Sequence, residues 1–488
     1  MHFQNTLNFN KRQIIREMKR YSLNSVLQEC IEMINSKDCK AKWVIYLIIK
    51  WKFISTDKKQ DFYRGIYCNK NKIDQWSQII WKSESNLDNI HHFLRNMFDT
   101  QIIWQKNYQP DVFFFPSFIN SLREDNLIRK HILSRYKISI TELKLLFTLL
   151  YQFRINHQNS ITVAKAISSD LHAVLISIIE DLTFTWKELA GNGLDANLPY
   201  DEALIKYLAS INLEENTFES TESPWLENYP IIEINEKFIF SVDSLLWQRK
   251  ISNYFYEKLS IELDNFSEVF GKNFEDYCKN IILNNFGNDK VKIDLPKSSV
   301  NADFIAEDEN YFYIIEIKHK KYDKNIFSLE NSKRLSSHLF NQVVKGYKQI
   351  KATAQNIDDY KIFKFKRKPL NKRRIGFVIT ERSYKIGHGV HFTALAGDEH
   401  KIDDTHIQDK DIFFIGIQEF ELLLLASRDN SLFLGDVANM CFDQRQSFIE
   451  RIDVSKKLTL KSQTGAEVIK QECFDFLSRF ALEQESKI

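Results

Sequence analysis

The chain has 488 residues, of which 43% are hydrophobic and 27% are charged, and its formal net charge is only +2. This length exceeds one ordinary hydrophobic core, so two or three domains are expected. No apolar run reaches the ~18 residues of a membrane span, and the N-terminus lacks the apolar core of a secretory signal. The six cysteines form no Cys-x-x-Cys pair, which argues against a zinc ribbon or a disulfide framework and indicates a reducing cytoplasm.

Residues 1–262 are predicted to form a mostly helical N-terminal region. Apolar residues recur at helical spacing over 140–153 and 171–182. The stretches "IIEI" and "FIFS" flank Asn235 and Glu236, which predicts a small hairpin that leads into a helix. No motif in this region carries recognisable chemistry, so we interpret it as a scaffold, a sensor or a partner-binding region. A DNA-reading helix within it stays an open alternative.

The pattern changes from about residue 263, where short apolar strands and helices alternate. The predicted order is helix, three strands, helix, strand, strand and helix, over 273–286, 290–295, 301–307, 311–320, 336–355, 373–381, 411–417 and 418–426. The strand at 373–381 has no polar face, as expected for a strand that is covered on both sides. The sequence therefore predicts an α/β domain with a mixed sheet at 263–430, within a chain that is α+β overall. A helical segment at 431–488 is expected to pack on that domain.

A predicted hairpin between the second and third of these strands brings three charged residues together. The stretch "DENY" (308–311) has the composition of a tight two-residue turn with its Glu-Asn pair at the centre, because Asn tolerates the left-handed conformation. This turn places Asp303 directly opposite Glu316. Lys318 lies two residues further along the strand and therefore points to the same face.

Two carboxylates on neighbouring strands, ~5 Å apart at Cβ, repel each other unless a cation lies between them. Mg²⁺ prefers oxygen ligands, lowers the pKa of a bound water and neutralises charge on a phosphate. Lys318 would then polarise that water or hold a phosphate oxygen. Two alternatives stay open: a buried salt bridge between Glu316 and Lys318, and a pair of solvent-exposed strands at a sheet edge.

Asp303, a gap of twelve residues and Glu316-Ile317-Lys318 resemble the motif of the PD-(D/E)XK nuclease superfamily, and the predicted order of elements is similar over 271–426. The resemblance implies a restriction-endonuclease-like core in which Asp303 and Glu316 bind the metal and Lys318 is the catalytic cation. It also implies that the backbone carbonyl of Ile317 contacts the metal.

Further residues match the superfamily less closely. The stretch "GKNFED" (271–276) is similar to the acidic motif of the first core helix and would make Glu275 a metal ligand, with a solvated surface acid as the alternative. Exonuclease-type members carry Gln and Tyr on the helix after the lysine strand, which implies a site role for Gln342. The spacing to Tyr347 is one residue longer than usual, and Tyr347 falls on the predicted core face. Ala302 replaces the Pro that often precedes the aspartate.

The segment from Lys318 to Arg374 is strongly basic, with 17 Lys and Arg against 4 Asp and Glu. Such a concentration is the electrostatic footprint of a polyanion site, although a solvated lysine-rich surface or a mobile loop explains it equally well. The residues predicted to contact nucleic acid are Lys320, Lys321, Lys345, Lys348, Lys366 and Arg367. Four histidines within 387–406 fit no established zinc spacing, so this stretch is predicted to be a substrate-facing loop.

With the resemblance, these patterns predict a cytoplasmic, Mg²⁺-dependent nuclease in which Mn²⁺ substitutes, with DNA favoured over RNA. No phosphate-binding GxxxxGK[ST] or GxGxxG motif occurs, which argues against ATP or NAD dependence. A role as a restriction or antiviral-defence effector follows from analogy only, with the N-terminal region binding a protein partner or a second copy of the chain. The alternative is a module of the same fold that binds nucleic acid or a protein partner without cleaving.

Overall fold

The computed structural model describes residues 13–36, 42–56, 64–84, 109–153, 157–185, 230–234, 237–240, 244–292, 301–319, 341–358, 372–381, 387–390, 392, 402, 404–442 and 451–485. The helices include, in chain order, α1 (Leu23–Asn35), α2 (Lys42–Ser55), α3 (Lys70–Glu84), α4 (Gln109–Ser121), α5 (Leu127–Tyr136), α6 (Ile140–Phe153), α7 (His157–Ile167), α8 (Ser169–Asp181), α9 (Ser244–Glu262), α10 (Phe266–Phe286), α11 (Asn341–Asp358), α12 (Ile417–Asn430), α13 (Leu434–Cys441), α14 (Arg451–Lys457) and α15 (Gly465–Glu485). The strands include β1 (Thr183–Thr185), β2 (Ile231–Ile234), β3 (Lys237–Phe240), β4 (Val291–Lys292), β5 (Phe304–Glu307), β6 (Tyr311–Lys318), β7 (Arg373–Thr380), β8 (Gly387–His388) and β9 (Ile412–Gly416). Among the described helices, none combines the length and the apolar composition needed to cross a membrane.

The described residues fall into two compact units. The first is drawn from the ranges 1–108 and 149–251, and the second from 109–148, from 252–323 and from 333 to the end of the chain. The second unit therefore takes in residues 109–148, which the sequence assigns to the N-terminal region.

In the first unit, α1, α2 and α3 pack on one another. The indole of Trp76 on α3 is fully buried and its N–H donates to Glu17 Oε2 at 2.9 Å. A three-stranded sheet has the order β1-β2-β3, in which β2 and β3 are antiparallel with Ile231 opposite Phe240. This confirms the predicted hairpin. The parallel partner β1 was not predicted, because three residues are too few to show a periodicity.

The second unit is built on a six-stranded mixed sheet of order β4-β5-β6-β7-β9-β8. Strands β4, β5 and β6 are antiparallel neighbours, β6, β7 and β9 are parallel, and β8 runs antiparallel to β9 at the edge. The three parallel strands are buried along most of their length, as strands covered on both faces must be. The prediction of an α/β domain with a mixed sheet is confirmed.

Helices cover both faces of this sheet. On one face, Phe286 of α10 packs on Tyr313 and Phe420 of α12 packs on Phe377. On the other face, α11 lies against β6 and β7. The spacing of buried residues explains both arrangements. In α10 every fourth residue is buried, namely Phe266, Phe270, Phe274, Cys278 and Ile282. In α11 one set of buried apolar residues follows at intervals of three or four, namely Val343, Tyr347, Ile350, Ala354 and Ile357, as the sequence predicts for the first four.

Aromatic packing explains why α4 belongs with the sheet. The ring of Phe118 lies 4.8 Å from that of Phe270 on α10, and Phe114 lies 6.5 Å from Phe274. Helix α15 from the C-terminal segment packs on α4 in the same unit. The predicted domain boundary at residue 262 stays a prediction. The second compact unit includes residues 109–148 because the apolar face of α4 packs on α10, a helix far along the chain.

Candidate active site

A tight hairpin between β5 and β6 positions the central residues of the site. Phe304 pairs with Ile315 and Ile305 pairs with Ile314, in the register that the sequence predicts. The turn is closed by the N–H of Asp308, which donates to the carbonyl of Tyr311 at 3.1 Å. The Asp308 carboxylate also accepts two backbone N–H groups of the turn at 2.8 Å. This local capping explains why the register follows from the turn sequence.

The hairpin brings Asp303 and Glu316 into contact through backbone groups. The N–H of Asp303 donates to Glu316 Oε2 at 3.1 Å, and the N–H of Ile317 donates to Asp303 Oδ2 at 2.7 Å. Each carboxylate is therefore oriented by the backbone of the opposite strand. Among the described residues, none donates a hydrogen bond to Asp303 Oδ1, which leaves this oxygen as the one that a cation would contact.

Lys318 completes the group from the same face of β6. Its ammonium contacts Glu316 Oε1 and also donates to Gln349 Oε1 on α11 at 2.9 Å. The lysine side chain is 11% exposed and the glutamate side chain 1% exposed. The buried salt bridge expected as one alternative is thus present within the site. The other alternative, exposed strands at a sheet edge, is wrong, because β6 lies between β5 and β7.

Burial raises the pKa of both acids, and the charge of Asp303 adds to the shift at Glu316. The pKa of Glu316 is raised to about 8, first by burial and then by the negative charge of Asp303, although Lys318 opposes the shift. Burial also raises the pKa of Asp303, against the backbone N–H of Ile317 and the positive charges of Lys318 and Lys345. An additional cation between the carboxylates would stabilise their charged forms.

A stripe of polar side chains on α11 anchors the segment that enters β5. Gln349 Nε2 donates to the carbonyl of Asn301 at 2.9 Å, and Asn356 Nδ2 donates to Asn301 Oδ1 at 2.8 Å. Between them, Thr353 Oγ1 accepts the N–H of Ala302 at 2.7 Å. The stripe thus binds the two residues that precede Asp303. The only sequence signal for it is a set of polar residues spaced by four and three positions on an otherwise buried helix face.

No protein-family model, curated protein or solved structure matches this chain.

A divalent cation of the Mg²⁺ type fits these side chains. Among the described residues, no group of three or more His, Cys, Asp or Glu side chains is arranged to hold a metal ion, so the ligand cage that zinc prefers is not formed by them. Mg²⁺ commonly takes one or two carboxylates and completes its shell with water and phosphate oxygens. Asp303 and Glu316 supply such a pair, beside a lysine that can face a phosphate.

Two of the other predicted site residues lie in the electrostatic field of the pair. Glu275 is exposed on α10, and its pKa is raised first by partial desolvation and then by the negative charge of Asp303, while Lys318 lowers it. Lys345 is exposed on α11, and its positive charge lowers the pKa of Asp303. Lys348 is exposed one turn further along the same helix.

The remaining predicted residues divide into those placed elsewhere and those outside the described part. Tyr347 is fully buried and donates from its hydroxyl to Asp409 at 2.7 Å, which confirms its predicted place in the core. His388, expected in a substrate-facing loop, lies instead in edge strand β8 and is 5% exposed, because its ring packs on Phe413. Gln342 lies on α11, but its side chain is outside the described residues. The predicted nucleic-acid contacts that lie outside them are Lys320, Lys321, Lys366 and Arg367.

Proposed function

We propose that this chain is a Mg²⁺-dependent nuclease with a restriction-endonuclease-like core of the PD-(D/E)XK type. The observation that carries the proposal is the register of β5 and β6, which brings Asp303, Glu316 and Lys318 together on one hairpin. The element order around that hairpin, with α10 before the sheet and α11 between β6 and β7, supports the same fold.

Each residue has a defined part in the proposed hydrolysis of a phosphodiester. Asp303 and Glu316 would hold Mg²⁺, or Mn²⁺ in its place, with the Ile317 carbonyl as a further ligand. Glu275 keeps its proposed place as a ligand on the ground of the resemblance alone, since the described acids do not form a group of three arranged around a metal ion. When bound, the ion supplies a water of lowered pKa and neutralises charge on the phosphate. Lys318 would donate to a phosphate oxygen and stabilise the charge that develops as water attacks phosphorus and the bond to the leaving oxygen breaks.

Positive charge beside the acids supports a polyanionic substrate. Lys345 and Lys348 are exposed on α11, the helix that also carries the contact to Lys318. They would hold the phosphate backbone, together with Lys320, Lys321, Lys366 and Arg367. DNA is favoured over RNA through the family resemblance. Gln342 keeps its proposed place beside the site on the same ground.

The cellular setting is part of the proposal. The described cysteines Cys30, Cys68, Cys278, Cys441 and Cys473 are free and buried, which supports a reducing compartment such as the cytoplasm. In a restriction or antiviral-defence role, the first unit would sense a signal, bind a protein partner or pair with a second copy of the chain.

One observation favours a second candidate function. The ion pair between Lys318 and Glu316 is closed and almost fully buried, which is compatible with a module that binds nucleic acid and does not cleave it. The two functions differ in whether a divalent ion can displace the Lys318 ammonium and bind the Glu316 carboxylate.

Cleavage by the purified full chain separates the two functions. Supercoiled plasmid, linear duplex, single-stranded DNA and RNA are incubated with Mg²⁺, Mn²⁺ or a chelator. We expect metal-dependent cleavage of DNA that falls by at least about 100-fold in Glu316→Gln and Lys318→Met, since each removes a charge from the reacting centre. Glu309→Gln is the matched control, because this acid is exposed at the tip of the same hairpin. Binding without cleavage would support the second function, and equal cleavage by all variants would overturn the assignment of the site.

A further inference from the structure

The amide of Gln349 bridges two parts of the site. Its Oε1 accepts from the Lys318 ammonium at 2.9 Å and its Nε2 donates to the Asn301 carbonyl at 2.9 Å. The orientation of the amide is unambiguous, because an ammonium can only donate and a carbonyl can only accept. Gln349 is 9% exposed, so its side chain is held in place on both sides.

Glu316 has one carboxylate oxygen that a divalent ion can bind without breaking a backbone hydrogen bond of the hairpin. Oε2 accepts the backbone N–H of Asp303, whereas Oε1 contacts the Lys318 ammonium. An arriving cation and this ammonium therefore compete for Oε1, because like charges repel at such short range. An ammonium displaced from Glu316 still has one described acceptor in reach, which is Gln349.

We propose that Gln349 is a positioning residue that draws the Lys318 ammonium away from Glu316 and holds it toward the substrate when a divalent cation binds. This inference rests on the proposed function and deepens it. The energetic role of Gln349 is to lower the cost of separating Lys318 from Glu316. Asn356 binds Asn301, and Thr353 binds Ala302. These two hydrogen bonds fix the start of β5 against α11, which carries the Gln349 amide.

The test is a double-mutant cycle read by Mn²⁺ affinity, without nucleic acid. Calorimetry on the full chain compares the original protein, Gln349→Leu, Lys318→Met and the double variant. We expect Gln349→Leu to weaken Mn²⁺ binding by about tenfold, as for other residues that orient a metal site from outside it. Lys318→Met should bind Mn²⁺ at least as tightly as the original protein, because the competing ammonium is gone. In the Lys318→Met background, Gln349→Leu should change the affinity by less than about twofold.

A purely structural role for Gln349 would weaken Mn²⁺ binding by the same factor in both backgrounds, and that result would overturn the inference. Thr353→Val is the matched control, since Thr353 belongs to the same stripe but binds the Ala302 N–H, so its effect should not depend on Lys318. If Gln349→Leu lowers the unfolding temperature, Gln349→Met serves as the second variant in the same cycle. Absence of Mn²⁺ binding by the original protein would overturn the proposed metal site itself, whereas binding with an additive cycle would overturn only the role of Gln349.

Discussion

Asp303 and Glu316 orient each other through the backbone of the hairpin that joins them. The Asp303 N–H donates to Glu316 at 3.1 Å, and the N–H that follows Glu316 in sequence, that of Ile317, donates to Asp303 at 2.7 Å. Both carboxylates are thus oriented by the protein itself, which is the preorganisation that the proposed catalysis would require. The same arrangement places two acids close together in a buried environment, so we expect the site to respond to pH and, under the proposed function, to divalent cations.

The raised pKa of Glu316 predicts a pH-dependent difference in stability. The pKa of about 8 exceeds the ordinary value of 4.5, so the folded chain binds this proton more tightly than the unfolded chain does. The resulting stabilisation is complete below pH 4.5 and is lost as pH rises through about 8. Glu316→Gln mimics the neutral acid, so its unfolding free energy relative to the original protein should rise by about 2–4 kcal/mol between pH 5 and pH 9.

Chemical denaturation in the presence of a chelator checks this prediction at pH 5, 7 and 9. Glu309→Gln, at the exposed tip of the same hairpin, is the control for the same Glu-to-Gln change outside the buried site. If the unfolding free energies of Glu316→Gln and of the original protein change in parallel with pH, burial does not raise the pKa of the Glu316 carboxyl.

Thr353 offers a separate test of how the strand entry is held. Its hydroxyl accepts the buried N–H of Ala302 at 2.7 Å, directly before Asp303. Thr353→Val keeps the shape of the side chain but removes the acceptor, which should cost about 1–3 kcal/mol of unfolding free energy because a buried donor loses its partner. Thr353→Ser restores the hydroxyl and should recover most of that loss. An undiminished stability of Thr353→Val together with a destabilised Thr353→Ser, measured by thermal unfolding, would mean that the methyl group matters and the hydrogen bond does not.

If Lys345 and Lys348 contact phosphates, each contributes to the weakening of nucleic-acid binding by salt. DNA affinity is measured against salt concentration in the Glu316→Gln background, so that cleavage does not interfere. Each lysine that neutralises a phosphate contributes about 0.9 to the slope of log affinity against log salt, so Lys345→Ala and Lys348→Ala should each reduce the slope by about that amount. Lys461→Ala changes an exposed lysine on a different segment and should leave the slope unchanged. Unchanged slopes for the first two would place the substrate away from α11.

The hairpin could be predicted from the sequence because its determinants are local. The turn at 308–311 is closed by its own aspartate, and a two-residue turn fixes every pair along both strands. The facing of Asp303 and Glu316 follows from that register alone. The core face of α11 could likewise be predicted from the spacing of its apolar residues.

The contact between Lys318 and Gln349 could not be predicted in the same way. It depends on how closely α11 approaches β6, and that approach is set by Gly346, where an added Cβ would lie 3.0 Å from Val378 and 3.5 Å from Glu316. The sequence pointed to Gln342 on this helix, whereas the residue that reaches the lysine is two turns later. The sequence also does not predict that α4 belongs to the unit that contains the six-stranded sheet. The reason is related: an apolar helix face does not identify the helix on which it packs.

The proposed nuclease requires that Asp303 and Glu316 together hold a divalent cation. Crystals of the full chain soaked in Mn²⁺ and measured at a wavelength sensitive to manganese test it most directly. We expect an anomalous peak about 2 Å from an oxygen of each carboxylate, with the Lys318 ammonium moved off Glu316 and retained by Gln349. A manganese peak elsewhere in the protein, or an unaltered contact between Lys318 and Glu316 at saturating Mn²⁺, would show that these two acids do not form the metal site.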